Sequence, residues 1–192
     1  AGHAGTTPMD RRRDALAAAA EWIGAVEAEA RGQEGLVATV GEIAAEPGAA
    51  NVIPGRATAS LDVRHPEDAA REAAVDALRE RAERIAAERR VGLEWDEIQS
   101  TPAVGCSPEL SEELAAAAAA GHEAPRLASG AGHDAAMMAA ITPVAMLFVR
   151  CAGGVSHHPD ESVRAEDVQV AIDVMTRFVE RLAASPARNA SP

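Results

Sequence analysis

The stretch LVATVGEIAAEPGAANVIPGRATASLDVR, residues 36–64, decides the fold of the first half of the chain. Residues 36–46 contain β-branched side chains in partial alternation, and residues 51–64 alternate small apolar with polar side chains. Pro47-Gly48, between these two parts, is a turn signal. The sequence therefore predicts two adjacent strands, the second of which has one buried face and one polar face.

Helices are predicted on both sides of this pair of strands. The pattern before it predicts a helix over residues 8–31, capped by Thr7, opened by Pro8 and ended by Gly32. After the strands, Pro66 opens a second helix. The apolar stripe of this second helix consists of Val75, Leu78, Ala82 and Ile85. Both helices therefore have one face suited to packing on the strands.

An extended pattern over residues 91–95 completes the order α-β-β-α-β for residues 8–99. A ferredoxin-like plait has the order β-α-β-β-α-β, so this segment matches a plait that lacks its first strand. We therefore expect residues 1–100 to form an α+β domain that is incomplete at its N-terminus.

The second half of the chain has a different pattern. It predicts helices over residues 108–120, 133–140 and 165–184. A single apolar strand is predicted over residues 144–149, and one strand cannot satisfy its own backbone groups, so we expect it to join a larger α/β sheet built from other sequence. Residues 101–184 are thus predicted to be the C-terminal part of an α/β domain. The boundary falls within residues 101–105, and residues 185–192 form a disordered tail.

The composition argues against several classes of protein. There are 30 acidic residues against 18 basic ones, and the formal net charge of -12 repels nucleic-acid backbones and anionic lipid. No apolar run approaches the roughly 20 residues that a membrane span requires. Cys106 and Cys151 are too few for a disulfide scaffold and favour reduced thiols. We expect a cytoplasmic protein that binds neither nucleic acid nor membrane.

Three segments carry candidate catalytic or metal-binding residues. His157 and His158 follow Gly153-Gly154 in a loop where neutral imidazole can reach a metal, although a polar surface loop has the same composition. His133-Asp134 follows a glycine-rich turn, which either binds an anion or carbonyl through free N–H groups or is simply a tight turn. His3 precedes the first helix. No helix carries metal-binding spacing, so the pattern alone does not establish a metal site.

Four stretches, in order along the chain, resemble one known family. They are GHAGTTPM at residues 2–9, NVIPG running to LDVR at residues 51–64, SGAGHDA at residues 129–135 and GVSHHPDE at residues 154–161. These strings are similar to the signature of the hydantoinase/carbamoylase branch of the M20 metallopeptidase family. That branch holds N-carbamoyl-L-amino acid hydrolases, allantoate amidohydrolases and the bacterial and yeast type of β-ureidopropionase. The resemblance implies a C-terminal fragment of a metal-dependent amidohydrolase, of which residues 1–100 are the lid and dimerisation domain.

The resemblance also implies a metal centre. His157 matches the last ligand of a site for two divalent metal ions, zinc or manganese, and a loop at the carboxyl end of a buried strand is where α/β sheets place their sites. The other ligands and the general-base Glu belong, in the family, to the segment before Ala1. His158 departs from the family pattern and leaves open an exchange of roles with His157.

Three further residues match those that bind the substrate in this family. Arg64 matches the arginine that grips the substrate carboxylate through two parallel hydrogen bonds. The alternative for Arg64 is an ion pair with Asp62, on the same face of its strand. Asn51 matches a residue that hydrogen-bonds the substrate, and Gly132 one whose backbone N–H helps to hold the carboxylate.

His3 matches a catalytic histidine that the lid domain delivers to the partner subunit, where it polarises the scissile carbonyl. This role requires a homodimer through the lid domain. The implied reaction is hydrolysis of the C–N bond of N-carbamoyl amino acids or of ureido acids such as allantoate, which are small carboxylates. Two alternatives stay open: a non-catalytic ferredoxin-like binding or dimerisation module, and a hydrolase of N-acyl amino acids or peptides from another M20 branch.

Overall fold

The computed structural model describes residues 1–119 and 124–184, and the chain divides into two compact units. The first unit ends at Ala103 and the second begins at Val104. In the first unit a short strand precedes the first helix, and five strands lie between the first and second helices; helices joined by long loops make up the second unit. The predicted tail, residues 185–192, lies outside the described residues.

The strands of the first unit form antiparallel pairs. β1 (Gly2–His3) pairs with β4 (Val52–Ile53), β2 (Val37–Thr39) with β6 (Asp62–Arg64), and β3 (Ile43–Glu46) with β5 (Arg56–Ala59). β2 and β3 thus run opposite β6 and β5, with a turn at Gly48 that uses a positive φ of 72°. The predicted pairing of residues 36–46 with residues 51–64 is confirmed, but each predicted strand is divided, the first into β2 and β3 and the second into β4, β5 and β6.

The two ends of the predicted plait differ from expectation. A short strand, β1, precedes the first helix, where the sequence analysis expected none within the chain. Residues 91–95, predicted as extended, form no strand among the described residues, and that prediction was wrong. Val91 and Trp95 instead pack their side chains against the core, and the Val91 N–H donates to the Ala86 carbonyl at 3.0 Å at the end of the preceding helix. The apolar pattern of this segment therefore reflects burial of side chains in the core and not membership of a strand.

The first helix, α1 (Ala15–Gly32), begins later than predicted. The Asp14 carboxylate caps it by accepting from the Ala17 N–H at 3.0 Å, so Thr7 is not the cap. The region after Pro8 forms only a 3-10 turn. Arg12 fixes that turn, because its Nε donates to the Thr7 carbonyl at 3.1 Å. The second helix, α2 (Asp68–Arg89), begins two residues after Pro66.

The core of the first unit lies between these two helices and the strands. Trp22 and Val26 of α1 pack with Leu78 and Ile85 of α2, and all four side chains are buried. The Trp22 indole Nε1–H donates to the Leu78 carbonyl at 3.1 Å, so its polar atom is satisfied inside the core. Trp95 meets Trp22 edge to face, with ring centroids 6.0 Å apart. The strand residues that pack on this core belong to β2, β5 and β6 or lie beside them.

The second unit contains α3 (Pro108–Ala118), α4 (Asp134–Met138) and α5 (Ala165–Ala184), the last with the predicted bounds. α3 and α5 pack through Leu114, Ala117 and Val174. Residues 144–149 form no strand among the described residues, so that prediction was wrong. Apolar side chains of this segment pack on the α3–α5 cluster. A strand also needs backbone hydrogen bonds to a neighbouring strand, whereas the Val144 carbonyl accepts from the N–H of Ser107, the N-cap residue of α3, at 2.8 Å. None of the helices that the structure describes is both long and apolar enough to cross a membrane.

Candidate functional site

The pairing of β1 with β4 brings two predicted site residues together. His3 lies opposite Val52, and the N–H of Ala4 donates to the Asn51 carbonyl at 2.9 Å. The side chains of His3 and Asn51 are both exposed. The pairing therefore places the backbones of the two residues at the same end of the ribbon.

The ring of His3 is held by its own turn. The Gly5 N–H donates to His3 Nδ1 at 3.0 Å, and the Thr7 N–H donates to the His3 carbonyl at 3.2 Å. This bond could not be predicted from the sequence, in which its only trace is the glycine two residues after the histidine. His3 is therefore an oriented side chain at an exposed position.

Arg64 and Asp62 form an ion pair on the polar face of β6. Arg64 Nε lies 2.8 Å from Asp62 Oδ1, and one Nη lies 2.6 Å from Oδ2, which gives two parallel hydrogen bonds. These bonds hold the pKa of the Asp62 carboxyl below its ordinary value and raise that of Arg64. The ion pair that the sequence left as an alternative is thus present, and it sets the direction of the guanidinium plane.

His157 lies in the loop between residues 150 and 164 with an unusual backbone. Its φ is 58°, in the left-handed region that few non-glycine residues adopt. The carboxylate of Glu161 accepts from its N–H at 3.0 Å, and the exposed side chain stays outside this bond. The neighbouring His158 uses its Nδ1 to accept from the Asp160 N–H at 3.2 Å. The two histidines therefore differ: His158 has a ring nitrogen bound to the loop backbone, whereas His157 is held through its own backbone.

Asp167, in the first turn of α5, connects the two ends of this loop. The sequence motifs did not indicate a role for this residue. Its carboxylate accepts from Arg164 Nε at 3.0 Å and lies 3.1 Å from a guanidinium nitrogen of Arg150. The hydrogen bond from Arg164, with the charge of Arg150, lowers the pKa of Asp167. Between these arginines, the Ala152 N–H donates to the Ser162 carbonyl at 2.8 Å. The spacing of Arg164 and Asp167 lets these two side chains meet at the helix start, but it does not predict the contact with Arg150.

Gly132 lies in the exposed turn that leads into α4. A Cβ at this position would have no neighbour within 4 Å, so the residue is not packed against other atoms on that side. The Ser129 hydroxyl stabilises the turn by bonding to the backbone of Ala131 at 3.2 Å. Asp134 begins α4, as the sequence indicated, with His133 at the N-cap. Gly132 and His157 occupy separate loops of the second unit.

The described residues can supply part of a metal site but not a complete set of ligands. No group of three or more His, Cys, Asp or Glu side chains within the described part of the chain is arranged to hold a metal ion. The exposed imidazole of His157 has the donor chemistry that zinc and manganese accept. A complete centre built on His157 therefore needs ligands beyond these residues.

Comparison with known proteins identifies the family. The sequence profile of peptidase family M20/M25/M40 matches residues 10–181. The chain belongs to this family. Enzymes of the M20 family are generally dinuclear metal enzymes, and the matched region contains the Arg64 and His157 positions. The first of the four motifs, which contains His3, lies just before the matched region.

Individual relatives place the chain within the hydantoinase/carbamoylase branch. Allantoate deiminase 2 of Glycine max is 39% identical over an alignment 209 positions long, which covers 94% of this chain and 43% of that protein. The N-carbamoyl-L-amino acid amidohydrolase of Geobacillus stearothermophilus is 41% identical over 182 residues, 94% of this chain and 44% of that protein. The crystal structure of a hydantoinase/carbamoylase family amidase from Burkholderia multivorans superposes with a TM-score of 0.92 at 35% identity, covering 96% of this chain and 46% of that one.

These findings confirm the predicted resemblance and the α/β fold class. The chain spans less than half the length of the relatives that it matches. It therefore corresponds to one part of proteins that are about twice as long.

Proposed function

We propose that the complete protein is a metal-dependent amidohydrolase that cleaves the C–N bond of N-carbamoyl amino acids or of ureido acids such as allantoate. The observation that carries this proposal is that relatives named for these two activities are 39% and 41% identical to the chain over 94% of its length. A non-catalytic module is not favoured, because these relatives are amidohydrolases.

We assign His157 as a ligand to one of two divalent metal ions, zinc or manganese. When bound, such ions activate water and polarise the scissile carbonyl. The left-handed backbone of His157 and the bond from its N–H to Glu161 orient the residue, while its ring is exposed. The clamp at Asp167 supports the base of the same loop.

Three residues are assigned to substrate binding. Arg64 binds the substrate carboxylate, and its pair with Asp62 holds the guanidinium plane in one direction, which reduces the conformational entropy lost on binding. Asn51 donates from its exposed amide, and Gly132 offers its backbone N–H to the carboxylate. All three groups recognise features common to the proposed substrates, so the variable part of the substrate is selected elsewhere.

His3 is assigned as the catalytic residue that donates to the oxygen of the scissile carbonyl, where negative charge develops as water attacks. We propose that it acts in the active site of a partner subunit and that the lid domain, residues 1–100, forms the homodimer. The exposed position of His3 on the edge pair β1–β4 supports delivery to another molecule.

The reaction is tested by measuring ammonia release from allantoate and N-carbamoyl amino acids, and release of the free amino acid from N-acetyl amino acids and dipeptides, before and after removal of metal. We expect hydrolysis of the first two classes, loss of activity in chelator and recovery with zinc or manganese. Activity confined to N-acetyl amino acids or dipeptides would transfer the protein to another branch, and full activity without metal would reject the proposal.

Delivery of His3 between subunits is tested by complementation. A His3→Gln subunit and a His157→Ala subunit are each inactive as homodimers, but a mixed dimer contains one site with both functional residues if His3 acts on the partner. We therefore expect co-expression to restore activity. A mixed dimer without activity would show that His3 serves its own subunit, because each site would then lack one of the two residues.

We also propose a cytoplasmic location. Both cysteines, Cys106 and Cys151, are exposed and unpaired with each other, which suits a reducing compartment. Cell fractionation followed by thiol labelling tests this, with both thiols expected to react without prior reduction.

A further inference from the structure

The turn that follows β1 has a hydrogen bond with a fixed direction. The N–H of Gly5 points at Nδ1 of His3 with the two nitrogen atoms 3.0 Å apart. A backbone N–H is always a donor, so His3 Nδ1 has to be the acceptor in this bond. The carbonyl of His3 accepts from the Thr6 and Thr7 N–H groups at 3.4 and 3.2 Å, which keeps the turn closed.

This direction determines where the imidazole carries its proton. A neutral imidazole has one N–H and one acceptor nitrogen, and a nitrogen that accepts a hydrogen bond cannot carry the proton itself. With Nδ1 occupied by the Gly5 N–H, the proton resides on Nε2. The exposed edge of the ring is then a hydrogen-bond donor.

We propose that Gly5 is a positioning residue that fixes His3 in the Nε2–H tautomer, so that His3 donates a hydrogen bond to the substrate carbonyl and does not act as a base. The inference about the role rests on the proposed function, whereas the tautomer itself depends only on the turn. A base would need its lone pair on Nε2, and the Gly5 bond places that lone pair on Nδ1.

The space around Gly5 supports this assignment. A Cβ at this position would lie 3.3 Å from His3 Cε1 and 3.6 Å from Nδ1, and the first distance is tighter than an ordinary carbon contact. A side chain here therefore presses against the ring that the N–H holds. A methyl group at this position requires the ring to shift by a few tenths of an ångström, and the backbone N–H that bonds to Nδ1 is retained.

The tautomer is measured by nuclear magnetic resonance on ¹⁵N-labelled protein, with the His3 ring signals assigned by their loss in His3→Gln. We expect Nε2 to carry the proton and a scalar coupling to appear between the Gly5 amide nitrogen and His3 Nδ1 across the hydrogen bond. A His3 ring with its proton on Nδ1, or one without the coupling, overturns the proposal. This measurement needs no activity, so it separates failure of the tautomer from failure of the proposed function.

The Gly5→Pro variant removes the N–H and is compared with Gly5→Ala, which retains it. We expect a mixture of tautomers in Gly5→Pro, with kcat for carbamoyl substrates lowered about 3- to 10-fold and KM changed less than about 2-fold. Gly5→Ala should keep the Nε2–H tautomer. A Gly5→Pro protein with an unchanged tautomer, or equal loss of the tautomer in both variants, would show that the N–H does not fix the ring.

Discussion

Asp62 and Arg64, two residues apart on β6, face each other through two parallel hydrogen bonds of 2.8 and 2.6 Å. Alternate residues of a strand lie on one face, so this spacing places both side chains together. Each side chain is about half exposed, at 52% and 51%, so the pair lies at the surface and is worth little as a source of stability. Its consequence is geometric, because it directs a planar guanidinium that would otherwise sample many rotamers.

The first prediction concerns the proposed binding of the substrate carboxylate by Arg64. We expect Arg64→Ala to raise KM for carbamoyl or ureido substrates by about 10- to 150-fold, the equivalent of a lost charged hydrogen bond of about 1.5 to 3 kcal/mol. The matched control is Arg56→Ala on β5, whose ion pair with Glu94 is similarly exposed. Steady-state kinetics of both variants decide this, and an unchanged KM in Arg64→Ala rejects the role.

The second prediction concerns the pH dependence of stability. The pKa of Asp62 is lowered in the folded protein, chiefly by the hydrogen bond from Arg64, so ionised Asp62 stabilises the fold at pH values above its unfolded pKa. This stabilisation is lost as the pH falls through the lowered folded pKa. We expect Asp62→Asn to lower the free energy of unfolding by about 0.2–1 kcal/mol at neutral pH.

Denaturant unfolding at several pH values measures this difference. The gap between wild type and Asp62→Asn should shrink at pH values below 3.8, the ordinary pKa of an aspartate. A gap that widens on acidification contradicts the assigned direction of the pKa change.

The third prediction concerns the clamp at Asp167. Because its carboxylate contacts both Arg150 and Arg164, we expect Asp167→Asn to increase amide hydrogen exchange in the intervening loop. Metal affinity of the complete protein should weaken about 10- to 100-fold, as for other residues that orient a ligand. Asp173→Asn, on the same helix and bonded only to Gln169 among the contacts described, serves as the control. Unchanged exchange and affinity in Asp167→Asn would exclude the clamp as a support for His157.

Local sequence signals predicted the helices and the strand pair well, and long-range contacts decided where they failed. Thr7-Pro8 and Asp14 both precede helix-forming sequence, but only Asp14 is the cap. The choice depends on Arg12 bonding back to the Thr7 carbonyl and on the Ala15 N–H donating to the Pro54 carbonyl, and the second of these bonds lies outside any window of neighbouring residues. The strand expected at residues 144–149 failed for a related reason, because hydropathy predicts burial whereas a ladder requires a partner.

In the candidate site, too, local sequence signals predicted some features and missed others. The residue types of His3, Arg64 and His157 and their motifs were visible in the sequence, and so was the possible pair of Arg64 with Asp62. The groups that orient these residues were not, since Gly5 acts through a backbone N–H and Asp167 acts from the start of a helix. Orientation depends on distances between atoms, and residue spacing in a sequence constrains these only along one element.

The last prediction separates His157 from His158. Asparagine tolerates the left-handed backbone that His157 adopts at φ 58°, so His157→Asn removes the imidazole with little strain. His158→Asn is the matched control, since it makes the same change one residue later. We expect elemental analysis of the purified complete protein to show a lower metal content in His157→Asn and an unchanged content in His158→Asn. His158 already uses Nδ1 to accept from the Asp160 N–H, which orients its ring toward its own loop. Loss of metal in His158→Asn alone would transfer the ligand role to His158.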